Sequence, residues 1–224
     1  MMSEDIIKII LVDDHPVVRS GIAAFLEKEK DFRICGEAET ADEAIKLIND
    51  VNPRIVIIDL ALKGDADGIE LIRAINARCP GVLTLCLSMF EESVYAERAI
   101  RAGAKGYLQK NADPENLIKA IRRILGGKLY LSEDISDKII SKIIHGKTPD
   151  DTSEQVDMLS NREFEVFILL GNGYGIREIA KKMNLSPNTI ESHRKGIKNK
   201  LGINDSGDLN KMAIQWVIIH NKKI

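Results

Sequence analysis

Ile6-Ile7-Lys8-Ile9-Ile10-Leu11-Val12-Asp13-Asp14 is the stretch that decides the fold. A short, nearly continuous apolar run closed by polar residues predicts a strand buried on both faces, as parallel strands are. The same pattern returns at Arg54-Ile55-Val56-Ile57-Ile58-Asp59 and at residues 82–88, which end in Ser88. Residues 32–38 and 106–110 supply the remaining strands. Helical periodicity fills the gaps. Residues 16–27 carry Val18, Ile22, Phe25 and Leu26 on one stripe, and residues 41–49 carry Ala44, Ile45 and Ile48. Residues 68–77 and 92–102 follow. Asp113-Pro114-Glu115 opens a fifth helix, with aspartate at the cap and proline in the first helical position. Five strand–helix repeats within about 125 residues predict an α/β unit: one parallel sheet, helices on both faces, right-handed crossovers.

Such a sheet binds ligands beyond the carboxyl ends of its strands. Asp13 and Asp14 end the first strand, Asp59 the third, Ser88 the fourth and Lys110 the fifth. Three carboxylates at one edge repel one another and favour a hard divalent cation. Mg²⁺ suits carboxylates, a carbonyl, waters and a phosphoryl oxygen in octahedral geometry. A carboxylate held this way can attack a phosphoryl donor and form an acyl phosphate. A lysine and a hydroxyl then take up the remaining phosphoryl oxygens. Neither a hydrolase triad nor a Walker-type glycine loop is present.

Length and composition narrow the class. At 224 residues one or two domains are expected. A chain 44% hydrophobic and 29% charged is neither disordered nor collagen-like. Three irregularly spaced cysteines give no disulfide framework and no zinc spacing. No uncharged apolar run reaches the roughly 18 residues of a membrane helix. Met1-Met2-Ser3-Glu4-Asp5 lacks the basic region of a signal peptide. The expectation is a cytoplasmic protein with reduced thiols and no membrane contact.

Charge is unevenly spread. From Ser153 onward there are 11 Lys and Arg against 8 Asp and Glu, and before it 21 against 26. Residues 176–200 hold 7 basic side chains against 2 acidic ones, which is either a solvated face or a phosphate-binding surface. Residues 132–144 carry an apolar helical stripe, and Thr148-Pro149-Asp150-Asp151-Thr152-Ser153-Glu154 has the composition of a tether. The tail beyond is all helical. Ser160-Asn161-Arg162-Glu163 is a capping box. Residues 176–183 form a short helix, Asn184-Leu185 a tight turn, and Ser186-Pro187 the cap and first position of the next helix. That helix places Ile190, His193, Ile197 and Leu201 inward and Asn188, Glu191, Ser192, Lys195, Lys198 and Asn199 outward. The pattern is that of a helix-turn-helix, and an ordinary helical hairpin shares it. Gly196 is unexpected in mid-helix, at roughly 1 kcal/mol against Ala. Either a close backbone approach requires it or the helix is loose. Residues 208–219 form a last amphipathic helix.

Over residues 7–125 the chain resembles the receiver domains of two-component response regulators. The likeness runs through Ile10-Leu11-Val12-Asp13-Asp14-His15-Pro16, Ile57-Ile58-Asp59-Leu60, Leu87-Ser88 and Lys105-Gly106-Tyr107-Leu108-Gln109-Lys110. Over residues 158–216 it resembles the four-helix LuxR-type output domain. The motifs there are Leu159-Ser160-Asn161-Arg162-Glu163, Glu178-Ile179-Ala180, Leu185-Ser186-Pro187-Asn188-Thr189-Ile190-Glu191-Ser192-His193 and Lys200-Leu201-Gly202. Together they resemble a regulator of the NarL/FixJ type. The resemblance implies a flavodoxin-like, doubly wound receiver over 1–127 with strand order 2-1-3-4-5. A linker with a helix spans 128–155, and an all-α helix-turn-helix domain spans 156–224.

The resemblance further implies site roles. Asp59 is the phosphoacceptor, served by a sensor histidine kinase. Asp13, Asp14, Asp59 and the Ala61 carbonyl hold Mg²⁺. Lys110 pairs with the phosphoryl group, Ser88 hydrogen-bonds it, and Tyr107 is an aromatic switch. The recognition helix enters double-stranded DNA with Asn188, Glu191, Ser192, Arg194, Lys195 and Lys198 as contacts, and the chain acts as a homodimer when phosphorylated or bound. His193 is expected in the core. Such a chain is a switch and not an enzyme. A stand-alone aspartyl-phosphate hydrolase leaves the tail without a purpose. A phosphorylation-independent regulator leaves the complete acidic set without one. Two departures stand out. Lys63 occupies a place where receivers commonly have proline, with Gly68 one residue later than usual. Asn111 follows the site lysine where many receivers have a cis proline, so a trans bond is expected.

Overall fold

The computed structural model describes residues 6–62, 67–144 and 155–220. It divides into two compact units, Met1–Ser141 and Lys142–Ile224. In the first, β1 (Ile7–Val12), β2 (Phe32–Ala38), β3 (Ile55–Ile58), β4 (Leu83–Ser88) and β5 (Gly106–Gln109) form one sheet in the order β2-β1-β3-β4-β5. Every pairing is parallel. The crossovers carry α1 (Pro16–Leu26), α2 (Ala41–Val51), α3 (Gly68–Arg78) and α4 (Glu92–Ala102), and α5 (Pro114–Leu125) follows β5. Alternate strand residues face opposite sides. Ile9, Leu11, Ile55, Ile57, Leu85 and Leu87 share one core with Leu26 of α1 and Leu117, Ile121 and Ile124 of α5. Their neighbours Ile10, Val12, Val56, Ile58 and Cys86 are equally buried on the other side. Burial on both faces is why these runs lack a polar alternation.

The ladder continues past the strand ends and sets the functional edge. The Asp59 amide donates to the Val12 carbonyl at 2.8 Å, the Asp13 amide to Ala38 at 3.1 Å, and the Lys110 amide to Ser88 at 2.9 Å. The polar ends of β1, β3, β4 and β5 are thereby held level. After α5 the chain turns back along the open edge of β5. Tyr107 donates to the Tyr130 carbonyl at 2.9 Å and Tyr130 to that of Lys105 at 3.0 Å. The Ser132 amide then donates to Glu92 at 2.8 Å, before α6 (Glu133–Ile144) begins. Residues 128–132, expected within the linker, thus protect an edge strand from unwanted pairing. The expected tether at 148–154 and the Lys63 position lie outside the described residues.

The second unit contains α7 (Asn161–Gly171), α8 (Ile176–Met183), α9 (Pro187–Leu201) and α10 (Ser206–His220). Its core centres on Trp216, edge-on to Phe164 at 5.2 Å and to Phe167 at 6.2 Å. Each expected cap forms. Ser160 and Glu163 complete the capping box, Asp113 accepts from Glu115 at 2.9 Å, and Ser186 accepts from Thr189 at 3.1 Å. Asn184 adopts the left-handed conformation, φ 53°, that turns α8 into α9.

Gly196 is explained by close approach. A Cβ there would sit 2.4 Å from Oε1 of Glu163, whose other oxygen accepts from Ser160 and Lys200. Gly68 is tighter still. A Cβ at that position would lie 2.3 Å from the Asp59 carbonyl oxygen and 2.7 Å from Cα of Leu60. Backbone cannot yield as a flexible side chain does. Gly68→Ala is therefore expected to destabilise the first unit by about 1–3 kcal/mol. Thermal unfolding of this variant checks the point; an unchanged transition contradicts it.

Candidate phosphoryl-transfer site and nucleic-acid interface

Parallel strand ends bring Asp13, Asp14, Asp59 and Ser88 to one place, and all four are buried. Lys110 reaches in from the end of β5. Its Nζ lies 2.6 Å from Oδ2 of Asp13 and 2.6 Å from Oδ2 of Asp59. The Asp59 contact is a hydrogen bond. The Asp13 contact is close but poorly aligned, and that Oδ2 accepts no hydrogen bond among the described residues. The other Asp59 oxygen accepts from the Ala61 amide at 3.2 Å, which places Ala61 at the same edge. Burial pushes the Asp59 carboxyl up from its ordinary value, against the opposing pull of Lys110 and the Ala61 amide; Asp13 adds to the rise. Burial pulls the Lys110 ammonium down, but the two carboxylates outweigh it and hold the group above its ordinary value.

The donor set fits a hard divalent cation. One ligand atom from each of Asp13, Asp14, His15 and Asp59 lies within 4.8 Å of the others. Oxygen donors dominate, as Mg²⁺ requires. His15 crosses the rim, its Nδ1 at 2.6 Å from Asp14 and 3.2 Å from Asp13.

Sequence reasoning missed Arg19. It is buried, and its Nη1 donates to the Asp13 carbonyl at 2.5 Å, while Nε and Nη2 pair with Glu37 and Glu39 at 2.9 Å each. This clamp anchors the turn that presents Asp13 and Asp14. The signal was available: Arg19 shares the inward stripe of Ile22, Ala23 and Leu26 in α1, where a charge needs a partner.

Ser88 and Tyr107 converge on the connection after β4. The Ser88 hydroxyl accepts from the Phe90 amide at 3.3 Å. Tyr107, fully buried, donates its hydroxyl to the Phe90 carbonyl at 2.9 Å, and Gln109 donates to the same oxygen at 3.3 Å. Phe90 stacks on Tyr95 of α4 at 4.5 Å. These contacts join Ser88, Phe90, Tyr107 and α4 in one connected group. Burial raises the Tyr107 hydroxyl well above its ordinary pKa, so it stays a donor.

In the second unit Asn188, Glu191, Ser192 and Lys195 are exposed on α9, and Lys198 is half-buried. His193 is half-buried too. Burial holds its imidazole below the ordinary value, with Glu163 opposing and Arg162 assisting. Arg194 departs from expectation. Expected among the DNA contacts, it is instead buried on the inward stripe of Ile190, Ile197 and Leu201. Its Nη1 lies 3.1 and 3.2 Å from the two oxygens of Glu191. The periodicity of α9 carried this information, since 190, 194, 197 and 201 are spaced by one helical face.

Comparison with known proteins agrees with both halves of this geometry. The response regulator receiver domain matches residues 9–122. The LuxR family of bacterial regulatory proteins matches residues 157–213. The oxygen regulatory protein NreC of Staphylococcus aureus (strain bovine RF122 / ET3-1) is 32% identical over 210 residues, 93% of this chain and 97% of NreC. A LuxR-family two-component response regulator from Aurantimonas sp. SI85-9A1 is 37% identical with a TM-score of 0.57, covering 62% of this chain and 99% of that one. RcsB from Salmonella enterica serovar Typhimurium was solved bound to promoter rprA with the phosphomimetic BeF3−. It is 28% identical with a TM-score of 0.56, covering 94% of this chain and 99% of that one. By its receiver domain, its LuxR-type helical domain and its full-length relatives, the chain belongs to the two-component response regulators of the NarL/FixJ type, which are DNA-binding regulators.

Proposed function

We propose that the chain is a transcription regulator switched by Mg²⁺-dependent phosphorylation of Asp59, with a sensor histidine kinase as donor. The observation that carries this reading is the Lys110 ammonium, 2.6 Å from both Asp59 and Asp13. A half-buried cation between two buried carboxylates is positioned to take a phosphoryl oxygen once one carboxylate has reacted. Asp13, Asp14 and Asp59, with the Ala61 carbonyl, would hold Mg²⁺, which when bound supplies positive charge to the phosphoryl oxygens. An Asp59 carboxylate oxygen attacks phosphorus, and the bond from phosphorus to the donor breaks with its electron pair leaving on the donor. Lys110 and Ser88 then bond the phosphoryl oxygens. The added charge of about −1.5 to −2 draws Ser88 inward, and the Phe90–Tyr107 contact transmits the shift towards α4.

The α8–α9 pair is the proposed reader of double-stranded DNA. Asn188, Glu191 and Ser192 lie in the first turns of α9, where this motif reaches base edges. Lys195 and Lys198 lie nearer its end and serve phosphates. Ile214 and Ile218 are exposed on α10 and would suit a homodimer on paired half-sites. The roles divide at residues 1–127 for phosphoacceptance, 128–155 for linkage and 156–224 for DNA binding. No helix among the described residues is long and apolar enough to cross a membrane, and action in the cytoplasm is proposed.

Mg²⁺ with a small phosphodonor such as acetyl phosphate is expected to label one residue, Asp59. Asp59→Asn should abolish labelling, because an amide is a poor nucleophile. Equal labelling of both proteins by mass spectrometry would remove the proposal.

The metal-free protein carries unrelieved repulsion among buried carboxylates. Mg²⁺ should therefore raise the Tm of the wild type, by mass action on the folded state, and raise it less in Asp13→Asn. The same thermal scans give the sign for Asp59. A carboxyl whose folded pKa is raised weakens the fold as pH rises through its unfolded and folded values. Without metal, Asp59→Asn should thus gain Tm over wild type at neutral pH, and the gain should shrink as the solution is acidified. A gain that grows on acidification contradicts the assignment.

Lys195→Ala should weaken binding about equally for all DNA sequences. The slope of log affinity against log salt should fall by about one unit. A changed sequence preference with an unchanged slope would show that Lys195 reads bases.

A further inference from the structure

The recognition face of α9 contains a residue pair whose geometry is more specific than its charges. Glu191 is exposed and points outward, while Arg194, one turn on, is buried. A single guanidinium nitrogen of Arg194 lies within 3.2 Å of both Glu191 oxygens. The Arg194 Nε finds no hydrogen-bond partner among the described residues, so the Glu191 carboxylate is the contact that orients the guanidinium on that side. A free glutamate on a DNA-facing helix would be repelled by phosphates and would sample several rotamers. Here the guanidinium of a buried arginine sits against it and offsets part of that repulsion. Each carboxylate oxygen retains a lone pair that the Arg194 hydrogen bond does not use. Those outward lone pairs are acceptors, and the base edge that offers a donor to a carboxylate in the major groove is N4 of cytosine.

We propose that Arg194 is a positioning residue, that Glu191 is a base reader, and that the pair selects a C·G base pair at one place in each half-site. The inference rests on the α8–α9 pair being the DNA reader. Arg194 itself touches neither phosphate nor base. This reverses the simplest expectation for an arginine on such a helix. It also assigns sequence selectivity to the acidic member of a basic surface. Lys195 and Lys198 then supply attraction common to all DNA, and the Glu191–Arg194 pair supplies discrimination.

Selection from randomised duplex DNA tests the proposal, using the full chain treated with acetyl phosphate and Mg²⁺ at one salt concentration. The wild type should enrich cytosine at one position per half-site. Glu191→Ala and Arg194→Met should each relax that same position, by roughly 5- to 150-fold in discrimination. The double variant should lose no more than either single one, because the two residues act as a unit. Arg194→Met should leave the salt slope unchanged. Arg194→Lys should restore part of the preference, since an ammonium at that position still reaches Glu191. Glu191→Gln should move the preference from cytosine towards adenine, as a carboxamide pairs with N6 and N7.

Several outcomes overturn the inference. Loss of affinity for all sequences in Arg194→Met, with a salt slope lower by about one, makes Arg194 a phosphate contact. Relaxation at a different position from Glu191→Ala makes Arg194 a base reader. Unchanged preference in Glu191→Ala removes the reader role. Arg194 is buried, so thermal unfolding accompanies every variant. If Arg194→Met does not fold, Arg194→Lys and the two Glu191 variants decide by the same criteria. Enrichment by the wild type without cytosine at the Glu191 position defeats this inference alone. A wild type that enriches no sequence defeats the DNA-reader assignment as well.

Discussion

Burying three carboxylates side by side is the constraint around which the first unit is organised. Asp13, Asp14 and Asp59 are each more than nine-tenths hidden from solvent. Isolated buried charges are costly, and like charges raise the cost. Lys110, shared between two of them at 2.6 Å, is the internal counter-charge. Removing this lysine would leave both carboxylates without it, and stripping a buried charge of its counter-ion typically costs about 3–5 kcal/mol. Local attachments hold the geometry around it. Arg19 anchors the Asp13 carbonyl, Ala61 donates to Asp59, and Gly68 lets the backbone beyond the site pass within contact of Asp59. The cluster still carries excess negative charge. On the proposed reading, the same arrangement that burdens the resting fold is what would attract a cation and respond to a phosphoryl group.

The contacts that join this edge to the rest of the unit meet at Phe90. Its amide and its carbonyl are held by Ser88 and Tyr107 respectively, and its ring lies on Tyr95. A reaction at Asp59 that moves Ser88 therefore disturbs a connection already tied to β5 and α4. On the proposed reading this is a local packing event with a wider readout, the way a small charge change biases a two-state element.

Much of this was legible in the sequence, for identifiable reasons. Parallel strands buried on both faces leave unbroken apolar runs, so Ile10–Val12 and Ile55–Ile58 announced themselves and delivered Asp13, Asp14 and Asp59 to one edge. Caps at Asp113, Ser160 and Ser186 follow from short-range hydrogen bonding and were equally plain. Gly196 left two readings open, and the approach of Glu163 settles them. Arg19 and Arg194 were harder. Both charged side chains lie on inward helical stripes, where a charge breaks the apolar pattern that marks the buried face. Their partners, Glu37 and Glu39 for one and Glu191 for the other, become evident only when the backbone brings them together. The return of residues 128–132 along β5 was likewise hidden, since no local pattern distinguishes an edge-covering segment from a linker.

On the proposed reading, chemistry at Asp59 controls the DNA affinity of the chain. The most direct measurement is the affinity of the full chain for one selected duplex at fixed salt, before and after treatment with acetyl phosphate and Mg²⁺. Wild type and Asp59→Asn should be compared side by side. Treatment should tighten binding by the wild type and leave Asp59→Asn unchanged. Equal response of the two proteins, or no response by a wild type shown to be labelled at Asp59, would contradict it.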